Sequence, residues 1–95
     1  MDRVAAVEAR IRSKRKSLAD EIGRAAESVS LNISEGRMRA GLDRADMYRR
    51  AAGSAGELTT ALRIARARRY ITPVEFDAIE VALDRVRAML WRLTH

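Results

Sequence analysis

Basic side chains gather in two short segments of this 95-residue chain, and the chemistry they suit best is the binding of phosphates. Lysine and arginine attract the phosphates of nucleic acid by charge, and such binding weakens steeply with salt. The formal net charge of +6 favours nucleic acid over acidic protein surfaces and anionic membranes. The predicted nucleic-acid-binding residues are Arg10, Arg12, Lys14, Arg15 and Lys16 in the first segment, and Arg63, Arg66, Arg68 and Arg69 in the second.

Both basic segments also have a purely structural interpretation. Basic residues late in a helix interact favourably with the negative end of its dipole, which accounts for part of the second segment. The first segment is harder to explain in this way, because its like charges repel each other unless a counter-ion binds. Aromatic residues make up only 4% of the chain, so stacking on single-stranded bases is a weak expectation.

The side chains that most enzymes need are nearly absent. His95 is the only histidine, and no cysteine is present, which excludes a thiolate nucleophile, a thiolate metal site and a disulfide. A Ser-His-Asp triad would depend on that last residue. The carboxylates fall at helical spacing beside arginines, a pattern typical of solvated salt bridges. We therefore predict no enzymatic activity, no catalytic residue, no metal site and no cofactor.

The stretch from Arg24 to Gly36, RAAESVSLNISEG, carries the most distinctive pattern in the chain. Ala25, Val29 and Ile33 share one helical stripe. A glycine just past the last periodic residue often ends a helix, so Gly36 is predicted to stop this one.

A second motif, AAGSAGE, occupies residues 51–57. In this order the two motifs resemble the four-helix bundle protein family encoded in 23S rRNA intervening sequences, which is related to the accessory variability protein of diversity-generating retroelements. The resemblance covers about residues 18–93. The motif residues taken as structural are Arg24, Asn32, Glu35, Gly36, Gly53, Ser54 and Glu57.

The resemblance implies a non-enzymatic bundle that forms a homo-oligomer, often a pentamer, with basic surfaces. It implies nucleic acid as a partner, structured RNA more than DNA, and, as in the retroelement relatives, a reverse transcriptase. It gives Glu35 and Glu57 a structural role, either pairing with Arg24 or linking Asn32 and Ser54 between helices. The alternative function is a protein-interaction scaffold whose arginine face meets an acidic partner.

Periodic apolar residues predict an all-α, antiparallel up-and-down helical bundle, with residues 1–95 as a single domain. From residue 2 to residue 36 they recur in steps of three and four with one miss, at Lys14. This spacing favours one continuous helix, which would give three long helices. The alternative is two helices, the second capped by Ser17.

A loop at residues 37–42, around Gly41, separates this region from the next helix, which has Asp43 as its predicted N-cap and runs to about Arg69. Each glycine inside a helix costs up to about 1 kcal/mol relative to alanine. Gly53 and Gly56 therefore suggest close approach of another helix.

The final helix begins with Thr72 as its N-cap, Pro73 in its first position and Glu75 completing a capping box. Trp91 lies off the apolar seam, and we interpret it as an interface anchor. The predicted seam residues are Phe76, Ile79, Leu83, Val86, Leu90 and Leu93.

No apolar run approaches the length that spans a bilayer. The first sixteen residues lack the apolar core of a signal peptide. We therefore expect a cytoplasmic protein with no membrane partner.

Overall fold

The structure is a computed structural model that describes the backbone of residues 2–95 and the side chains of residues 3–95. Helices account for nearly all of the described chain, and no strand occurs within it. The four helices are α1 (Asp2–Lys14), α2 (Lys16–Arg37), α3 (Gly41–Ala67) and α4 (Pro73–Thr94). The predicted all-α bundle is confirmed.

Successive helices run in opposite directions, which gives an elongated bundle of 42 × 21 × 18 Å. Between α2 and α3, Ser28 lies beside Ser54 while Gly36 lies beside Tyr48, so residue numbers rise along one helix as they fall along the other. The predicted antiparallel, up-and-down arrangement is therefore present.

The favoured single helix over residues 2–36 is wrong, because the chain folds back between α1 and α2. Arg15 alone separates them, with an extended backbone at φ −155° and ψ 99°. Arg12 of α1 then reaches back to hydrogen-bond Asp20 of α2. The alternative of two helices holds, but Ser17 is not the N-cap, since the cap position belongs to Arg15 and carries no side-chain hydrogen bond.

The buried side chains form two clusters because α1 covers only part of the bundle. It has 13 residues, whereas the other helices have 22, 27 and 22. All four helices contribute to the larger cluster, and only α2, α3 and α4 contribute to the smaller one. The largest fully buried side chains of the larger cluster are Ile11, Ile22, Leu58, Leu62 and Leu83, and the buried members of the smaller cluster are Tyr48, Ala51 and Leu90.

The start of α4 is the one predicted helix start that the structure reproduces fully. Thr72 Oγ1 accepts a hydrogen bond from the Glu75 N–H at 3.1 Å, and Glu75 Oε1 accepts one from the Thr72 N–H at 2.9 Å. Pro73 follows as the first helical residue. Most of the predicted seam of α4 is buried or half-buried, but Leu93 is 50% exposed, so its assignment to the core is wrong.

The prediction that Gly36 ends α2 is wrong, because the helix continues through it to Arg37. Its role is steric instead. A Cβ at this position would lie 2.6 Å from a ring carbon of Tyr48, so only glycine lets the two helices come this close. The Gly36 carbonyl, near the end of α2, accepts hydrogen bonds from the Arg39 N–H at 3.3 Å and from Arg44 Nε at 3.1 Å.

The predicted start of α3 is also displaced. The helix begins at Gly41, after Ala40 in the cap position, and Asp43 lies within its first turn. Gly41 adopts φ +62°, a left-handed conformation that glycine takes without a Cβ clash. The acidic side chain of Asp43 still favours the positive end of the helix dipole.

Candidate nucleic-acid interface

The fold brings the two basic segments to one end of the bundle. The end of α1, the start of α2, the end of α3 and the start of α4 all meet there, because successive helices are antiparallel. Arg15 and Leu18 line the same cavity as Ile64, Ala67 and Arg68, although some fifty residues separate the two groups. We call this region the basic end and define it by Lys14, Arg15, Lys16, Arg66, Arg68 and Arg69.

Two of the predicted binding residues are held in ion pairs beside this region. Arg10 pairs with Glu75 and ties α1 to the start of α4. Arg12 hydrogen-bonds Asp20 at 2.7 Å and Glu8 at 3.1 Å, and these bonds raise the pKa of Arg12. Their charge is largely neutralised within the molecule, so the fold gives both residues a structural role.

The other predicted basic residues keep their charge available. They are all exposed. Among residues 3–95, none of them has a carboxylate within 4 Å. Arg63 lies one turn further from the end of α3 than Arg66. The seven residues are Lys14, Arg15, Lys16, Arg63, Arg66, Arg68 and Arg69.

The end of α3 has an unusual backbone. Arg69 adopts φ +62°, and it is the only residue other than glycine with a positive φ in the described chain. The Tyr70 N–H donates to the Ala65 carbonyl and the Arg69 N–H to the Arg66 carbonyl, both at 2.9 Å. These two bonds define a Schellman motif with Arg69 at the position that glycine usually occupies.

Two cavities flank this turn, one on each side of Ala67. The first, described above, contains Arg15 and Arg68 and has a volume of about 490 Å³. The second, of about 450 Å³, lies between the end of α3 and the start of α4 and contains Arg10, Arg66 and Arg69. The guanidinium of Arg66 sits 5.2 Å from the centre of the Phe76 ring, at the edge of the core. Basic side chains therefore line concave surfaces as well as project into solvent.

The hydroxyl pair of Ser28 and Ser54 joins α2 to α3, whereas Asn32 bonds within α2 and the motif acids do not join the two helices. Asn32 Nδ2 donates to the Ser28 carbonyl at 2.8 Å and to Ser28 Oγ at 3.1 Å. The hydroxyls of Ser28 and Ser54 lie 2.6 Å apart. Asn32 thus bonds another polar group. The Ser28 hydroxyl connects Asn32 to Ser54, a role that sequence reasoning did not assign to it.

The expected pairing of Glu35 and Glu57 is wrong. Glu35 pairs with Arg39 one turn along its own helix, at 3.5 Å. Glu57 is exposed and has no ion pair with residues 3–95. Arg24 pairs instead with Glu21, three residues earlier on α2. Both motif acids are exposed, and the hydroxyls of Ser28 and Ser54 form the polar contact between α2 and α3 instead.

Gly53 and Gly56 do not mark a close helix contact. Both are exposed, and a Cβ at either position would meet nothing within 4 Å in the described chain. Buried alanines, Ala51 and Ala55, provide the small residues of α3. The prediction therefore identified a small-residue face but assigned the contact to the wrong residues.

The opposite end of the bundle, the far end, has a different character. It is formed by the end of α2, the start of α3 and the end of α4, and it exposes several large apolar side chains. Trp91 is 61% exposed and stacks on His95, with ring centres 3.4 Å apart. The exposed apolar residues of this end are Met38, Leu42, Trp91 and Leu93.

Several carboxylates form ion pairs at the helical spacing that predicted them, among them Asp46, Glu80 and Asp84. Arg87 bonds Glu80 and Asp84 along α4 and also donates to Thr59 of α3. Asp46 pairs with Arg50 at 3.2 Å. In the part of the chain that the structure describes, no group of three histidine, cysteine, aspartate or glutamate side chains is placed to hold a metal ion. None of the described helices is long and apolar enough to cross a membrane.

Sequence reasoning counted Tyr70 only among the few aromatic residues that could stack on a base, and the structure places it in the cavity that holds Arg66 and Arg69. The chain has no significant match among curated proteins or among solved structures. One family model does match, that of the 23S rRNA-intervening sequence proteins, and it spans residues 2–92. A match over nearly the whole chain, together with the four-helix bundle, shows that this protein belongs to the 23S rRNA-intervening sequence protein family.

Proposed function

We propose that this protein is a non-enzymatic, self-associating bundle that binds structured RNA through its basic end. The observation that carries the proposal is the convergence of two basic segments from opposite halves of the chain on one end of the fold. The six arginines and lysines of the basic end have no acidic partner within 4 Å among residues 3–95. The family description, which refers to 23S rRNA, supports RNA as the polyanion.

The proposed binding is directed at phosphates and depends little on base sequence. Exposed arginines and lysines contact phosphates from many directions, and phosphate contacts carry no base sequence directly. Affinity should therefore fall steeply with salt. In a plot of the logarithm of the binding constant against the logarithm of the salt concentration, each phosphate contacted contributes roughly 0.7 to 0.9 to the negative slope.

A salt titration of binding tests the proposal. Purified protein is titrated against structured RNA, single-stranded DNA and duplex DNA at several salt concentrations. The informative variant carries Arg15→Glu and Arg68→Glu, one reversal from each basic segment. Its control carries Arg37→Glu and Arg49→Glu, which change the net charge equally but lie away from the basic end.

We expect the first variant to lose most of the affinity for RNA and to flatten the salt slope by about two contacts. The control variant should change the RNA affinity and the salt slope much less. Equal effects of the two variants would mean that only net charge matters. Absence of binding at low salt would refute the proposal.

A protein-interaction scaffold is the second candidate, and the exposed apolar far end favours it. Large apolar patches on a small protein often mark protein interfaces. We propose that this end takes part in self-association, in a pentamer by resemblance to the family. Native mass spectrometry of the wild type and of Trp91→Ser checks this, since a monomeric wild type would contradict it.

We also propose a reverse transcriptase and its template RNA as partners. This part of the proposal rests only on the resemblance to retroelement accessory proteins. Co-purification of the two proteins from cells that express both, in the cytoplasm where we expect them to meet, is the direct test.

A further inference from the structure

We propose that the cavity between the end of α3 and the start of α4 binds the terminal, phosphorylated nucleotide of an RNA strand. Arg66 and Arg69 would hold the phosphate, and Tyr70 would stack on the base. The inference rests on the proposed RNA binding and assigns one part of it to a built site. The cavity has a volume of about 450 Å³, within the roughly 300–1,000 Å³ typical of small-ligand pockets.

The charge of the cavity suits a phosphate at the end of a strand better than one inside it. Three arginines line the cavity, and Arg10 is already paired with Glu75. Arg66 and Arg69 have no carboxylate within 4 Å among residues 3–95, which leaves two unpaired positive charges. A terminal phosphate carries about −1.5 to −2 near neutral pH, whereas a phosphate within a strand carries a single charge.

The fold restrains the side chain of Arg66 and holds the backbone of Arg69 in an unusual conformation. The guanidinium of Arg66 rests over the face of the Phe76 ring, 5.2 Å from its centre, which restricts its motion. Arg69 occupies the left-handed position of the Schellman motif, where an arginine pays a steric penalty that glycine avoids. Backbone strain of this kind often accompanies a functional position. The strain at Arg69 is explained if its side chain is needed in this cavity.

Tyr70 supplies a surface for a base. It packs against the larger core cluster yet remains partly exposed, and it lines the same cavity as the two arginines. Stacking of a base on an aromatic ring tolerates any base identity. Ile71 and Pro73 line the same cavity and add apolar surface beside the ring.

Fluorescence anisotropy with one RNA sequence tests the inference. The strand is prepared with a 5′-phosphate, with a 3′-phosphate, or with hydroxyl groups at both ends, and all three forms are titrated at the same salt concentration. We expect a phosphorylated end to bind about tenfold more tightly, the size expected for new hydrogen bonds to a charged group. Equal affinity of the three forms would overturn the inference while leaving the proposed RNA binding intact.

A competition experiment separates an RNA end from a free nucleotide. Adenosine monophosphate is added to the complex with the phosphorylated strand. We expect weak displacement, because the free nucleotide lacks the backbone contacts of the remaining strand. Displacement at the strand's own affinity would assign the cavity to free nucleotides and overturn the inference.

Variants separate the cavity from general electrostatics. Arg69→Gly should fold at least as stably as the wild type, because glycine accepts the positive φ, yet it should lose the preference for a phosphorylated end. Arg68→Gln, on the other side of Ala67, should weaken all three strands alike and keep their ratio. An undiminished preference in Arg69→Gly would overturn the inference. Loss of all RNA binding by the wild type at low salt would overturn both proposals.

Discussion

Gly36 of α2 lies directly against the ring of Tyr48 of α3, and a Cβ on residue 36 would come within 2.6 Å of a ring carbon. Both residues are buried, so the ring has little room to move away. We expect Gly36→Ala to lower the free energy of unfolding by about 1–3 kcal/mol, because overpacking outweighs the better helix propensity of alanine. Urea denaturation followed by circular dichroism measures the change.

Gly53→Ala is the matched comparison, because the same substitution is made where the helix has open space. Gly53 is exposed, lies inside α3, and would bring a new Cβ within 4 Å of no other group in the described chain. We expect the free energy of unfolding to rise by about 0.5–1 kcal/mol. A loss of stability here would indicate that a second chain packs on this face in solution.

The hydroxyl pair between α2 and α3 should contribute measurably to stability. Ser28 and Ser54 lie 2.6 Å apart, and Asn32 also donates to Ser28. We expect Ser54→Ala to cost about 0.5–1.5 kcal/mol, as for other partly buried hydrogen bonds. A double-mutant cycle with Ser28→Ala should show non-additive losses. Strict additivity would mean that the two hydroxyls do not interact in solution.

Acid should weaken the start of α4 through Glu75. The backbone N–H of Thr72 and, after it, the side chain of Arg10 lower the pKa of Glu75 below its ordinary value of 4.5. The folded protein therefore binds this proton less readily than the unfolded chain does. The stability that the carboxylate contributes is complete above the ordinary value and is lost as the pH falls through the lowered one.

The Glu75→Gln variant isolates this effect. We expect a smaller difference between the urea midpoints at roughly neutral pH and at about pH 3 than in the wild type. Glu27→Gln is a suitable control, because Glu27 is exposed and has no ion pair with residues 3–95. An unchanged pH dependence in Glu75→Gln would show that other carboxylates control acid unfolding.

The break between α1 and α2 shows where sequence reasoning reached its limit. The apolar residues on both sides of Arg15 continue in helical spacing, and both stripes are buried in the same core. An antiparallel pair of helices and one long helix therefore produce nearly the same pattern. Neither glycine nor proline marks the turn. The local signs were the miss at Lys14, one residue before the break, and Ser17, a helix-capping residue type two residues after it.

The basic residues could be predicted from composition, but their convergence could not. If residues 2–36 formed a single helix, Arg15 would lie in its middle. Folding back at Arg15 is what brings it beside Arg68. The left-handed backbone of Arg69 was equally hidden, because arginine is not the residue expected there. By contrast, the start of α4 was predictable, since the Thr72 capping box depends only on neighbouring residues.

The shortness of α1 implies that the two ends of the rod differ in rigidity. Around the smaller core cluster three helices shield the interior, and its buried members are Tyr48, Ala51 and Leu90. Local opening should therefore need less free energy in that half, and its backbone amides should exchange hydrogen faster than those around Leu62. Hydrogen exchange read by mass spectrometry would reveal this gradient. The bundle then combines a more rigid basic end with a more flexible apolar far end, which can adapt its shape to a binding partner.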